Sequence, residues 1–240
     1  MNEAAIWHDV ECGAYAADLP LWEELAAGAD GPLLDLGCGT GRVALHLARR
    51  GHEVTGLDRE PDLVAELNRR AGGLPARALV GDARDISLAE QRFGLALAPM
   101  QLVQLLDGAA ERRALLAGVA AHLRRGGMAA AAVVEAVAPG AFSEAEAIPD
   151  SREVDGWLYA SLPLETAVDA ERIVVRRLRR TVSPGGELRR EDDRVELRVL
   201  SAATLEVEAE RCDLRPVGRR TIPATEDHVG STVVLLEKES

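Results

Sequence analysis

Aromatic residues are scarce in this chain: Phe, Trp and Tyr together make up 3% of 240 residues. The core must be built mainly from Leu, Val and Ala, and few rings are left for stacking nucleic-acid bases. Cysteine is nearly as rare. Cys12, Cys38 and Cys212 are far apart and odd in number, with no C-x-x-C spacing, so neither a disulfide framework nor a cysteine-based metal site is indicated. No apolar run approaches the ~18 to 20 residues that a membrane helix requires. The start, MNEAAIWHDVEC, has neither a basic segment nor an apolar stretch and does not read as a signal peptide, so the expected location is the cytoplasm. Positive charge is outweighed, with 28 Lys and Arg against 40 Asp and Glu, for a net charge of −12. That field repels phosphate backbones and makes nucleic acid an unfavoured partner. What remains is ordinary globular composition, 47% hydrophobic and 28% charged, over a length that buries a substantial core.

Periodicity divides the chain into a regular and an irregular part. Residues 15–28 carry Leu21, Trp22 and Leu25 at helical spacing. Short apolar strands and amphipathic helices then alternate: strands at 32–37, 52–58, 76–82, 93–99 and 128–136, helices at 42–50, 61–73 and 109–127. Such alternation predicts parallel strands joined by right-handed crossovers, with helices on both faces. From about residue 138 the pattern becomes antiparallel, with a hairpin turn at Pro184-Gly185-Gly186. A helix at 201–211 with Ser201 as its N-cap and two last strands close the chain. The expected fold class is α/β, a Rossmann-like three-layer sandwich on a mostly parallel seven-stranded sheet, its last strand antiparallel, with an inserted antiparallel layer. The expected organisation is one domain: an N-terminal lid region (1–30), a cofactor-binding core (31–137), the insert (138–200), and a closing helix with two strands (201–240).

The chemistry concentrates at strand ends. Residues 35–42, Asp-Leu-Gly-Cys-Gly-Thr-Gly-Arg, join a strand to a helix, and glycines at 37, 39 and 41 let backbone approach a ligand closely. The alternative is a purely structural turn. The dinucleotide fingerprint G-x-G-x-x-G needs glycine where Arg42 stands, which argues against an NAD enzyme. Asp58 ends the second strand, where a carboxylate can accept hydrogen bonds from a ribose diol or begin the next helix. Asp82 follows the third strand, and open α/β sheets bind ligands at such strand ends.

DLGCGTGR resembles motif I of class I S-adenosylmethionine-dependent methyltransferases, and the resemblance runs over roughly residues 30–137. It implies S-adenosyl-L-methionine as cofactor and S-adenosyl-L-homocysteine as product. The cofactor-binding residues it implies are Asp35, Gly37, Cys38, Gly39, Gly41 and Arg42 in the glycine loop, with Asp58 and Arg59 near the ribose. Asp82 would meet the adenine amino group, Ala83 would offer its backbone N–H to the ring, and Pro99 would lie after the fourth strand. Ala98-Pro99-Met100-Gln101 lacks the Asn/Asp-Pro-Pro-Tyr/Phe signature of enzymes acting on nucleobase or glutamine amines, which favours a small-molecule acceptor. In strand pattern the insert is similar to that of glycine and amino-sugar N-methyltransferases, whose extra layers cap the site and build dimer interfaces, so a homodimer is expected.

The expected activity is methyl transfer to N or O of a small metabolite, by in-line displacement. Alternatives are a non-catalytic protein that binds the same sulfur nucleotides, and a nucleic-acid or protein methyltransferase. Three segments are candidates for the acceptor side: Trp7-His8-Asp9 with Tyr15 as a lid, Met100, Gln101 and Gln104, and the loop 223–230 with Asp227 and His228. Tyr15, Gln104 and His228 are the candidate catalytic residues, and no metal is expected. The basic run 176–180 is expected to pair with acidic residues 187–193 across the hairpin.

Overall fold

Two helices come first. In α1 (Glu3–Cys12) the Asn2 side chain caps the start by accepting the Ala4 N–H at 2.9 Å. In α2 (Leu19–Ala27), Pro20 occupies the first turn, where a missing N–H costs nothing, and Leu21, Trp22 and Ala26 are buried. The computed structural model describes residues 2–88, 92–225 and 228–239. The chain divides into two compact units, one of residues 16–135 and 200–240, the other of residues 1–15 and 136–199.

The larger unit begins as the sequence pattern predicts. β1 (Leu33–Leu36), α3 (Arg42–Ala48), β2 (Val54–Asp58), α4 (Pro61–Ala71), β3 (Ala76–Val80) and β4 (Phe93–Ala98) follow in turn. A single 3-10 turn (Leu102–Gln104), α5 (Ala109–His122) and β5 (Leu123–Val133) come next. The expected helix 109–127 is cut short at His122. Leu123 is fully buried and extended (ψ 147°), pairing with Phe93, and Arg124–Gly127 bulge before pairing resumes at Leu95 and Met128. Burying Leu123 in the sheet outweighs the helical propensity of Arg124 and Arg125, and Gly126 (φ +67°) absorbs the bend.

The smaller unit is antiparallel. β6 (Gly140–Ala141), β7 (Asp150–Val154), β8 (Trp157–Val168), β9 (Arg172–Val182) and β10 (Leu188–Arg198) form a five-stranded sheet, with the expected hairpin turn between β9 and β10. Residues 1–15, read from sequence as part of a lid over the cofactor, pack within this unit. Trp7 lies edge-on to Tyr159 with centroids 5.2 Å apart, and the Arg179 guanidinium lies 5.2 Å from the Trp7 ring centre. Asp9 accepts from Arg152 at 2.5 Å, and Glu11 holds Arg179 through two 2.8 Å bonds. The basic run is neutralised partly across the hairpin, by Asp193 on Arg179 at 3.0 Å and Asp192 on Arg176 at 3.9 Å. Its other carboxylates are Glu11 of α1, Asp150 of β7, Glu165 of β8, and Glu144, which meets Arg180 from the segment between β6 and β7.

The chain then returns to the larger unit as α6 (Ala202–Glu210), β11 (Leu214–Ile222) and β12 (Ser231–Lys238). Ser201 caps α6 by accepting the Thr204 N–H at 3.0 Å. The seven strands lie in the order β11-β12-β5-β4-β1-β2-β3. β1 to β5 are parallel, β12 is antiparallel to β5, and β11 is antiparallel to β12. Since β11 therefore runs with the parallel strands, its end at Ile222 lies on the same sheet edge as the loop after β1. Leu34, Leu36 and Leu57 face a core shared with α5 and α6, while Asp35, one residue out of phase, faces the opposite side. At the β3 edge, the Asn68 amide accepts the Ala78 N–H at 2.8 Å and donates to its C=O at 3.0 Å, which closes strand groups open to stray pairing. Among the described residues no helix is long and apolar enough to cross a membrane.

Candidate cofactor site and its relatives

The turn after β1 follows a path that side chains would obstruct. Gly37, Gly39 and Gly41 have φ of +64°, +52° and +95°, a region open to glycine. A Cβ on Gly41 would lie 2.8 Å from both Leu45 Cγ and Leu67 Cγ, so α3 can start against α4 only because that position has no side chain. A Cβ on Gly37 would touch Leu102, which brings the turn after β4 beside the glycine loop.

Four amides of the loop are engaged within the protein. The Gly37 and Cys38 amides both donate to Leu57 O, at 2.8 and 3.2 Å, and Gly41 N–H donates to Cys38 O at 2.9 Å. Gly39 N–H donates to Asp58 Oδ2 at 2.8 Å. The glycines thus supply room and shape, and their amides brace the loop on the end of β2. The Cys38 side chain also turns inward, buried over Gly56, where a Cβ would stand 2.6 Å from its sulfur. Burial pushes the Cys38 thiol up, and the side chain is not placed to meet a ligand.

Asp58 is placed as a two-armed acceptor. Oδ2 holds Gly39 N–H and Oδ1 holds Glu60 N–H at 3.0 Å, which leaves one further lone pair on each oxygen. The helix-start alternative coexists with this, because the Glu60 amide lies just before α4. Arg59 is largely exposed and pairs with Glu60 at 3.3 Å. Asp82 lies in the loop after β3, gripped by Arg84, whose charge and hydrogen bonds hold the carboxyl down at about 2. Ala83 packs against the core beside it. Pro99 is buried after β4, and Met100 is one of three non-glycine residues with positive φ (+53°) among the described residues. Local strain of this kind gathers at ligand-binding positions.

Two expected roles change. Arg42, expected at the cofactor, is bidentate on the fully buried Asp18, at 2.6 and 2.7 Å, and Asp18 also accepts the Trp22 indole N–H at 2.8 Å. This network ties α2 to α3, and Glu23 strengthens the tie by bonding His46 and Arg50. Gln104, a catalytic candidate, is wholly buried. Its amide donates to Val134 O at 3.1 Å and accepts Val134 N–H at 2.7 Å, which makes it a strut between the turn after β4 and the end of β5. Tyr15 is buried in the smaller unit. His228 lies in the loop 223–230, where its backbone N–H donates to Thr225 Oγ1 at 3.0 Å. Asp227 lies outside the described residues.

The buried Asp35 is the electrostatic centre. It is 1% exposed, and among the described residues neither carboxylate oxygen has a hydrogen-bond partner. Burial pushes its carboxyl up to about 7, against the opposing charge of Arg42 and the amide dipole of Ala44. Because the folded pKa lies above the unfolded one, ionisation penalises the fold: stability falls as pH rises from about 4 to about 7. Asp35→Asn removes that penalty. Its melting temperature relative to the parent should therefore climb between pH 5 and pH 8, by an amount worth on the order of 2–3 kcal/mol. A difference that stays flat over this range would show that Asp35 ionises freely in the fold.

Glycine loop, ribose-type acceptor and a carboxylate after β3 thus sit in order at the strand ends of one parallel sheet. Residues 33–127, which carry all three, match the methyltransferase domain family. Over this segment the chain is similar to methyltransferase domains. The chain is 29% identical over 155 residues to a cypemycin N-terminal methyltransferase from a Streptomyces species, covering 60% of this chain and 62% of that protein. It is 32% identical over 152 residues to a ubiquinone biosynthesis O-methyltransferase from a Methylobacterium species, covering 62% of this chain and 57% of that protein. These matches thus span about three-fifths of those relatives, 62% and 57% of their lengths. In fold the likeness extends further. The sugar N-methyltransferase KedS8 from a Streptoalloteichus species has a TM-score of 0.76 at 18% identity, over 100% of this chain and 94% of its own. DesVI from Streptomyces venezuelae has a TM-score of 0.72 at 21% identity, over 98% of both chains. The matched segment therefore lies within a chain whose fold resembles theirs over almost its full length.

Sequence reading missed Asp18, Arg84 and Glu111 as partners of site residues. Arg84 carried a signal, two residues from Asp82, whereas nothing in the pattern ties Asp18 to Arg42, 24 positions away.

Proposed function

We propose that this protein is an S-adenosylmethionine-dependent methyltransferase acting on N or O of a small-molecule metabolite. The observation that carries the reading is the joint geometry of the glycine loop and Asp58, whose carboxylate fixes Gly39 and keeps acceptor capacity on both oxygens. The residues fit the cofactor: the loop has room that a Cβ would fill, and Asp35 offers a buried carboxylate still in need of a donor. Asp58 would hold the ribose hydroxyls, Asp82 and Ala83 the adenine edge, and Asp35 the ammonium of the methionine part. Bound S-adenosylmethionine supplies a methyl group on a sulfonium, electrophilic enough for direct in-line displacement by an amine or hydroxyl. The protein's share is then placement and exclusion of water. His228, at the sheet edge of the glycine loop, is the proposed proton acceptor for the incoming group, with Tyr15 a second candidate.

Relatives named as N- and O-methyltransferases of small molecules support the acceptor class, and the net charge of −12 supports it against nucleic acid. A homodimer in the cytoplasm is the proposed state, since β10 leaves an open edge on the five-stranded sheet. Calorimetric titration with S-adenosylmethionine, S-adenosylhomocysteine and NAD tests the reading. Micromolar binding of the two sulfur nucleotides and none of NAD is expected, followed by homocysteine release on screening small amines and phenols. Binding of neither sulfur nucleotide would sink the proposal.

A further inference from the structure

We propose that Arg84 is a positioning residue that sets the cofactor site's preference for a 6-aminopurine, by holding the Asp82 carboxylate in one orientation. This rests on the reading of residues 82–83 as the adenine subsite. Arg84 Nε lies 2.9 Å from Asp82 Oδ1 and 3.0 Å from Oδ2, and its Nη2 lies 2.6 Å from Oδ2. The Arg84 backbone N–H adds a fourth contact, to Oδ1 at 2.8 Å. Two contacts therefore reach each oxygen, from three donor hydrogens, with the Nε hydrogen shared between the two. The carboxylate is held against rotation, and the side from which a further donor can approach it is fixed by the plane of the guanidinium.

The fork is itself braced. Arg84 Nη1 donates to Glu111 Oε1 at 2.7 Å, and Glu111 Oε2 accepts the Asp107 N–H at 2.8 Å. This chain of contacts fastens the loop after β3 to the start of α5. Asp82 and Arg84 are 38% and 44% exposed, so an ion pair here adds little to stability. Its effect is on orientation instead. A carboxylate on an exposed loop otherwise rotates, and a ligand must stop that rotation on binding. The guanidinium, planar and rigid, does so beforehand, and a further group meets the ionised carboxylate only as an acceptor. An exocyclic amino group satisfies that acceptor. A 6-oxo group sets oxygen against oxygen.

The test is titration of S-adenosylhomocysteine and its 6-oxo analogue, S-inosylhomocysteine, into the parent protein, Arg84→Ala and Arg84→Lys, each checked for folding by its melting curve. The parent should prefer the amino form by well over tenfold. Arg84→Ala should bind the amino form about tenfold more weakly and the oxo form within twofold of the parent, so that the preference collapses. Arg84→Lys, which keeps the charge and lacks the fork, should resemble Arg84→Ala. Equal weakening of both ligands, or undiminished preference in either variant, overturns the proposal while leaving the adenosyl site intact. Failure of the parent to bind either nucleoside overturns the cofactor reading itself.

Discussion

Asp58→Ala binds S-adenosylhomocysteine at least a hundredfold more weakly than the parent in a calorimetric titration, with the fold preserved. Two losses combine in this expected result. The ribose hydroxyls lose a charged acceptor, and hydrogen bonds to charged groups are worth about 1.5–3 kcal/mol each. The Gly39 N–H also loses the oxygen that it meets at 2.8 Å, so the loop is no longer pinned at its middle. The remaining anchors, Gly37 and Cys38 on Leu57 O, keep the loop attached to β2, so a large stability loss is not expected. Asp58→Asn retains one carbonyl oxygen and should fall between the two. Unchanged affinity in Asp58→Ala would remove this residue from the ribose site.

The second large effect is on stability. Arg112 on α5 and Glu208 on α6 form a bidentate pair, both bonds at 2.7 Å, with side chains only 8% and 7% exposed. Arg112→Ala leaves a buried carboxylate without its partner, at a cost of about 3–5 kcal/mol. For a chain of this size, that amounts to a fall of roughly 10 °C in melting temperature. Replacing both groups with apolar residues of similar volume, Arg112→Met with Glu208→Leu, should recover most of the loss, because the pair's own desolvation largely offsets its attraction. If the single variant melts within about 2 °C of the parent, a shift worth no more than about 1 kcal/mol for a chain of this size, water reaches the pair and the burial argument fails.

Most of the parallel sheet could be read from sequence because its determinants are local. Val54 to Asp58 is a short apolar run ending at a carboxylate, and the glycines at 37, 39 and 41 mark their turn by composition alone. The errors arose where distant packing decided the outcome. Arg124-Arg125-Gly126-Gly127 has the form of a helix ending, yet Leu123 is drawn into the sheet opposite Phe93. Gln104 has the position of a catalytic amide in a strand-end loop, yet its partner is the backbone of Val134, 30 residues on. The N-terminal helix reads as a polar stretch because its buried face, Ile6, Trp7 and Val10, meets Tyr159 on a strand far along the chain. Arg42 shows the same limit within the motif itself: its position was legible and its partner Asp18 was not.

The Glu135 carboxylate accepts the Ala202 N–H at 2.9 Å, although the two residues are 67 positions apart. The chain thus leaves the larger unit and rejoins it at neighbouring points. In evolutionary terms this is a socket. A segment whose two ends meet can be lengthened, shortened or replaced while β5 and α6 keep their places, because the Glu135 bond closes the junction on its own. One parallel-sheet frame can in this way carry inserted layers of different length.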